Sequence, residues 1–160
     1  MCAIAETSDH LAERLRSEGE KTLSFFRDLA PEQWDRTIYT EGAQWSLRQV
    51  LAHFVVSEAS MTRLVENILA GGTGSPEDFR LNEYNERHVA RLQDLPVETL
   101  LQQYNQNRQA SMALAARLSP ADLARTGRHP FLGVAPVSEI LKMMYRHNQI
   151  HQREIRKVLE

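Results

Sequence analysis

One cysteine, Cys2, is all the thiol this chain of 160 residues has. No intrachain disulfide framework is therefore available to it. Cys2 has no histidine or helix start beside it, so it reads as incidental, not as a nucleophile. The sequence also lacks any run of about 18 apolar residues, which excludes a membrane-spanning helix of ordinary length. The first residues, Met1 to Glu6, do not follow the basic-then-apolar order of a secretion signal, and a cytoplasmic location is the expectation. Positive charge is not concentrated anywhere, and the formal net charge is −2. That argues against a nucleic-acid footprint. Arg153, Arg156 and Lys157 do cluster, but in the last turns of a helix, where they complement its dipole. Glycines are few, and Gly71–Pro76 is not followed by the Gly-Lys-Ser/Thr of a phosphate loop, so it reads as a flexible link.

What the chain does have is helical periodicity. Hydrophobic residues make up 42% of it and charged residues 25%, enough apolar material for the core of one domain over residues 1–160. No stretch alternates long enough to predict a sheet. Leu11, Leu15, Thr22, Phe25, Phe26 and Leu29 give a first helix its apolar stripe, from about Ser8 to Leu29, stopped by Ala30-Pro31. A loop with Trp34, Tyr39 and Gly42 follows. Ser46 then caps a second helix and Gln49 completes a capping box; Trp45 is placed to staple onto Val50. That helix carries Leu47, Val50, Leu51, Phe54, Met61, Val65 and Ile68 inward and ends at Gly71-Gly72. A third helical region from about Phe79 to Leu118 is interrupted at Pro96, which must kink it or start a new helix. Pro136 suits the first turn of a last helix reaching about Leu159. The expected fold is all-α: a four-helix bundle with long crossover connections. A faint internal echo accompanies it, with Leu29-Ala30-Pro31 and Arg36-Thr37 before one helix and Leu118-Ser119-Pro120 and Arg125-Thr126 before the other.

The chemistry concentrates in histidines. His147 and His151, four residues apart, share one face of the last helix with Val137, Ile140, Leu141, Met144, Ile155 and Val158. Both imidazoles therefore point inward, where polar rings without partners are costly and a shared metal ion is one way to satisfy them. His53 stands at the edge of the apolar arc of the second helix, so three imidazoles from two helices can converge at one end of the bundle. Three protein ligands leave a coordination position open. The last helix reads His-Asn-Gln-Ile-His, so the zinc-protease glutamate is replaced by Asn148 and that chemistry is disfavoured. Satisfied core histidines remain the plainer reading of the pair taken alone.

The segment Trp45-Ser46-Leu47-Arg48-Gln49-Val50-Leu51-Ala52-His53, followed far downstream by His147-Asn148-Gln149-Ile150-His151 and Glu154-Ile155, resembles the DinB-like superfamily. Arg128-His129-Pro130-Phe131-Leu132-Gly133 and the helix start at Asn82-Glu83 are similar to its second, broader branch. The resemblance runs over nearly the whole chain. It implies a four-helix bundle with long crossovers and a metal triad that falls on His53, His147 and His151. It further implies an enzyme transferring a low-molecular-weight thiol to an electrophile, or a hydrolase, with a small-molecule substrate. The alternative is a non-enzymatic, stress-associated metal-binding bundle. Imidazole ligands suit zinc or nickel foremost, with iron and copper open.

Other residues carry weaker expectations. His129 reads as a loop cap, and Asn82, Asn85 and His88 as one polar helix face that could line a pocket. Glu154 and Glu58 are candidates to orient an imidazole, and Tyr145 is placed to offer a hydroxyl to a cleft. His10 is expected to face water. Pairing of two copies through an exposed apolar face is plausible for such bundles.

Overall fold

A computed structural model describes residues 6–160; Cys2 lies outside the described residues. Four long helices form the frame: α1 (Ser8–Arg27), α2 (Leu47–Leu69), α4 (Val97–Ala116) and α6 (Val137–Leu159). The shorter α3 (Leu81–Leu92) and α5 (Pro120–Ala124) lie in the connections. Helix α1 packs against α4 and α6, and α2 packs against the same two. Helices α1 and α2 thus hold diagonal corners, as do α4 and α6. A chain moving from α1 to α2, or from α4 to α6, must cross the bundle end, which is why both connections are long.

Local chemistry sets the boundaries. Thr7 caps α1 by accepting from the His10 amide, and the Ser46–Gln49 capping box opens α2 as the sequence predicts. Helix α1 ends at Arg27, two residues short of the expected Leu29. Pro96 resolves the interrupted third helix by starting a new one. It is the N-cap of α4 in an extended conformation, and α3 has already ended at Leu92. At the end of α2, Gly71 adopts φ +95°, a conformation that only glycine takes without strain.

The expectation of no sheet needs correction. Strands β1 (Thr126–His129) and β2 (Gly133–Pro136) form a short antiparallel hairpin just before α6. Four-residue strands are too short to alternate visibly, and Gly127 and Pro130 disguise them further. The faint internal echo has a backbone counterpart here. Each proline turn (Pro31–Gln33 and α5) leads into extended chain that doubles back on itself: Thr37 bridges Ser46, and Thr126 pairs with Pro136. The Leu47 amide then donates to the Arg36 carbonyl at 2.9 Å, and the Val137 amide donates to the Arg125 carbonyl at 2.8 Å. Both histidine-bearing helices are therefore launched by the same device.

Two apolar clusters fill the bundle. One gathers Leu11, Leu15, Val65, Leu114, Ile140, Leu141 and Met144; the other gathers Phe26, Trp34, Leu47, Leu51, Phe54, Leu100 and Tyr104. An ion pair lies buried in the helical frame. The Arg108 guanidinium donates to both Glu58 carboxylate oxygens at 2.6 and 3.0 Å, and also to the Leu15 and Met144 carbonyls. Ser111 donates to Glu58 as well. With every charge paired and hydrogen-bonded, the network ties all four long helices into one register. Gly19 leaves the room it needs, since a Cβ there would stand 2.8 Å from Arg108 Cγ.

Candidate metal centre

His53 lies in the second turn of α2, and His147 and His151 stand one turn apart on α6. Packing of α2 on α6 brings the three rings together. The Nε2 atoms of His53 and His147 are 2.9 Å apart, and those of His151 and His147 are 3.0 Å apart. These residues form a group able to hold a metal ion. His53 is buried, while the other two open toward a cleft.

Each imidazole is held in the neutral form. Burial is the largest cause in all three: His53 is lowered to about 3, His147 falls well below the ordinary histidine value, and His151 falls as well. The neighbouring rings depress His53 and His147 further, while Glu154 opposes the shift at His151. Neutral rings with lone pairs available are what metal ligation needs.

A second layer fixes His151. The Tyr39 hydroxyl donates to Glu154 and contacts His151 Nδ1. With its proton committed to the carboxylate, the Tyr39 oxygen accepts from Nδ1–H, so Nε2 of His151 carries only a lone pair. That lone pair faces His147 Nε2, which also faces His53 Nε2. One N–H cannot fully serve both contacts, and protonation is opposed by burial. A cation at the meeting point of the three nitrogens satisfies all of them at once, so the donor set fits a metal. His53 is held differently. Its Nδ1 is buried without a hydrogen-bond partner among the described residues, and the Trp45 ring packs on it with centroids 4.9 Å apart.

The histidines line a cleft of about 710 Å³. Its walls come from α2 (Ser57, Ser60, Met61, Arg63, Leu64), the chain between α2 and α3 (Pro76, Phe79), α3 (Asn82, Tyr84, Asn85), the hairpin (His129, Phe131) and α6 (Met143, Ile150). The lining is mostly apolar, the usual character of a small-molecule site.

The weaker expectations divide. Glu154 is beside His151 as anticipated, but Glu58 is not near the rings; it is consumed by Arg108 and Ser111 in the core. Tyr145 offers no hydroxyl to the cleft. It packs in the core cluster with Arg14 over its ring, because α6 turns that residue toward α1. Asn148 also points away, donating to the buried Tyr104 hydroxyl. His129 caps its loop: Nδ1 accepts from the Phe131 and Leu132 amides, and the ring is buried at the cleft wall. Asn82 and Asn85 line the cleft, whereas His88 stacks on Tyr84 outside it. Trp45 is half-buried against His53, and Trp34 stacks on Phe26 in the core. His10 is exposed beside Glu6. Tyr39 is the residue that sequence reasoning missed; it is 112 residues from His151, and no local pattern marks it. No helix among the described residues is long and apolar enough to cross a membrane.

The fold and the cluster together define a four-helix bundle whose imidazoles could hold a divalent metal. The chain belongs to the DinB superfamily, whose family model matches residues 5–155. A protein of Oceanobacillus iheyensis, provisionally named a metal-dependent hydrolase, is 30% identical over 130 residues, covering 80% of this chain and 72% of that protein. Among solved structures, YfiT of Bacillus subtilis, described as a probable metal-dependent hydrolase with an unusual four-helix bundle topology, superposes with a TM-score of 0.78 at 16% identity. It is covered to 89% and this chain to 98%. The mycothiol-dependent maleylpyruvate isomerase superposes at 0.69 with 17% identity over 92% of this chain. This chain spans 59% of that enzyme's length. The colibactin self-resistance protein ClbS, solved with double-stranded DNA, superposes at 0.72 with 15% identity, covering 99% of this chain and 98% of its own. These structural likenesses show the fold.

Proposed function

We propose that this protein is a metal-dependent enzyme acting on a small molecule, with His53, His147 and His151 holding a divalent ion and a low-molecular-weight thiol as the group transferred. The observation that carries this reading is the convergence of three neutral Nε2 atoms on an open, largely apolar cleft. Zinc or nickel suits such a ligand set best, with iron and copper also compatible. When bound, the ion lowers the pKa of a thiol or water and so supplies a nucleophile at neutral pH.

The chain's own residues do the rest. Tyr39 and Glu154 hold the His151 ring and its tautomer, and Trp45 holds His53. The apolar walls seat the body of the electrophile. Transfer is favoured over hydrolysis by what the cleft offers as bases. Glu154 already accepts from Tyr39, Glu86 is an exposed residue on the cleft wall, and Asn148 is turned into the core. A thiol gives up its proton readily and needs little help from a positioned base, whereas water does not. In the transfer, the thiol proton passes to solvent, the sulfur forms a C–S bond and the leaving group departs with its electron pair. Open access to the rings also favours this reading over a purely structural metal site, whose ion would be shut away from solvent.

The test is direct. Protein purified without added metal is expected to carry about one divalent ion per chain by elemental analysis, as a three-imidazole site predicts, and His147→Ala is expected to lose it while keeping its helical circular dichroism. Conjugation of a biological thiol to an electrophile is expected to disappear in His53→Ala. Metal content unchanged in His147→Ala, or only background turnover across a full panel of thiols and electrophiles, refutes the reading.

A further inference from the structure

The far end of the cleft from the histidines is built differently from the rest of it. Arg63 lines it, exposed, and its guanidinium donates to Ser60 Oγ at 3.2 Å and Tyr84 Oη at 3.3 Å. Those two hydroxyls bond each other at 2.8 Å, so the group is braced between α2 and α3. No carboxylate forms an ion pair with Arg63 among the described residues. Glu77 pairs with Arg128 and Glu83 pairs with Arg80, while Glu66, one turn along α2 from Arg63, is exposed and forms no ion pair among the described residues. Glu86, on the cleft wall, is likewise exposed and forms no ion pair among the described residues. His88, one turn from Tyr84 on α3, is held below its ordinary value first by burial and then by Arg91, Arg87 and Arg63. A braced guanidinium without a protein carboxylate, facing an apolar cavity, is a recognition group for an anion carried by an otherwise apolar molecule.

Its distance from the histidines sets a length. Ser60, against which the guanidinium rests, follows His53 by seven residues on one helix, a rise of roughly 10 Å. Met61, Leu64, Phe79 and Met143 line the cleft alongside them. We infer that the cleft selects an elongated substrate with an apolar body and one terminal anionic group, a carboxylate or its equivalent, seated on Arg63 while the reacting end lies at the histidines. This rests on the reading of the cleft as the substrate site and names the class of molecule it takes.

Calorimetric titration of the purified protein with hexanoate, octanoate and decanoate, each beside its neutral primary amide, tests the inference. Octanoate spans roughly the required length when extended. The acids are expected to bind about tenfold tighter than the amides, as a charge-assisted contact does relative to a neutral one. Affinity is expected to peak near the middle of the series, and Arg63→Gln is expected to erase the acid preference without changing metal content. A carboxylate could instead seek a metal ion, so the titration is repeated in His147→Ala and in chelator-treated wild type. The preference is expected to survive there. Equal binding of acid and amide, no binding of either, a preference that survives Arg63→Gln, or one lost on metal removal each overturns the inference. Protein that carries no ion as purified, yet shows the Arg63-dependent preference, would sink the metal reading and leave this one standing.

Discussion

At the scale of the residue, the decisive group is one that no motif marks. Tyr39 bridges Glu154 and His151 from a loop in the first crossover. Tyr39→Phe removes one hydroxyl and keeps the ring. It is expected to weaken metal affinity about 10- to 100-fold with little change in folding, as loss of an outer partner does for metal-bound histidine. Chelator competition measures it, and an affinity equal to wild type would leave Tyr39 with a packing role only. The three histidines themselves were legible in the sequence because helical spacing and the Trp-Ser helix start are local signals. Glu154 was legible for the same reason, being one turn from His151. Glu58 misled because helix periodicity assigns a face but not the partner waiting there, and Arg108 is 50 residues away. Asn82 and Asn85 were legible as a polar helix face, whereas Tyr39, Arg63 and the cleft wall at Pro76 and Phe79 needed tertiary packing before any role could be read.

At the scale of the element, the hairpin before α6 builds the cleft as the helices do. It forms one wall of the cleft through His129 and Phe131, and it seats on α2 through Gly127, where an added Cβ would meet Ile68 Cδ1 at 2.4 Å. Gly127→Ala is therefore expected to cost about 1–3 kcal/mol, the usual penalty for overpacking a filled site. Urea unfolding checks it; an unchanged midpoint would mean that the hairpin is not seated on α2. Helices α1, α2 and α6 were readable from their apolar stripes, and α2 also from its capping box. The hairpin was not, because four-residue strands carry too few alternations to stand out from a loop. Pro96 shows the remaining ambiguity of that level: a proline announces a break, but only packing decides between a kink and a fresh start.

At the scale of the whole molecule, burial of several imidazoles makes the metal-free fold sensitive to mild acid. Burial lowers His53 to about 3 and His129 to about 4, and it lowers His147 and His151 as well. Unfolded histidines titrate near 6.5. Above that value both states are neutral and no penalty arises. As pH falls below it, the unfolded chain takes up protons that the native state refuses, so stability declines until the native pKa values are reached. Chelator-treated protein is expected to show a lower urea midpoint at pH 5 than at pH 7.5, with most carboxylates still ionised over that interval. Equal midpoints would refute it. The diagonal crossovers add one more consequence. His53 and His147 are 94 residues apart along the chain and come from helices launched by equivalent turns. A single ion grasping both would act as a reversible staple across the two halves, favouring the folded chain in proportion to the logarithm of free metal concentration. The melting temperature of this protein would then serve as a gauge of how much metal its surroundings supply.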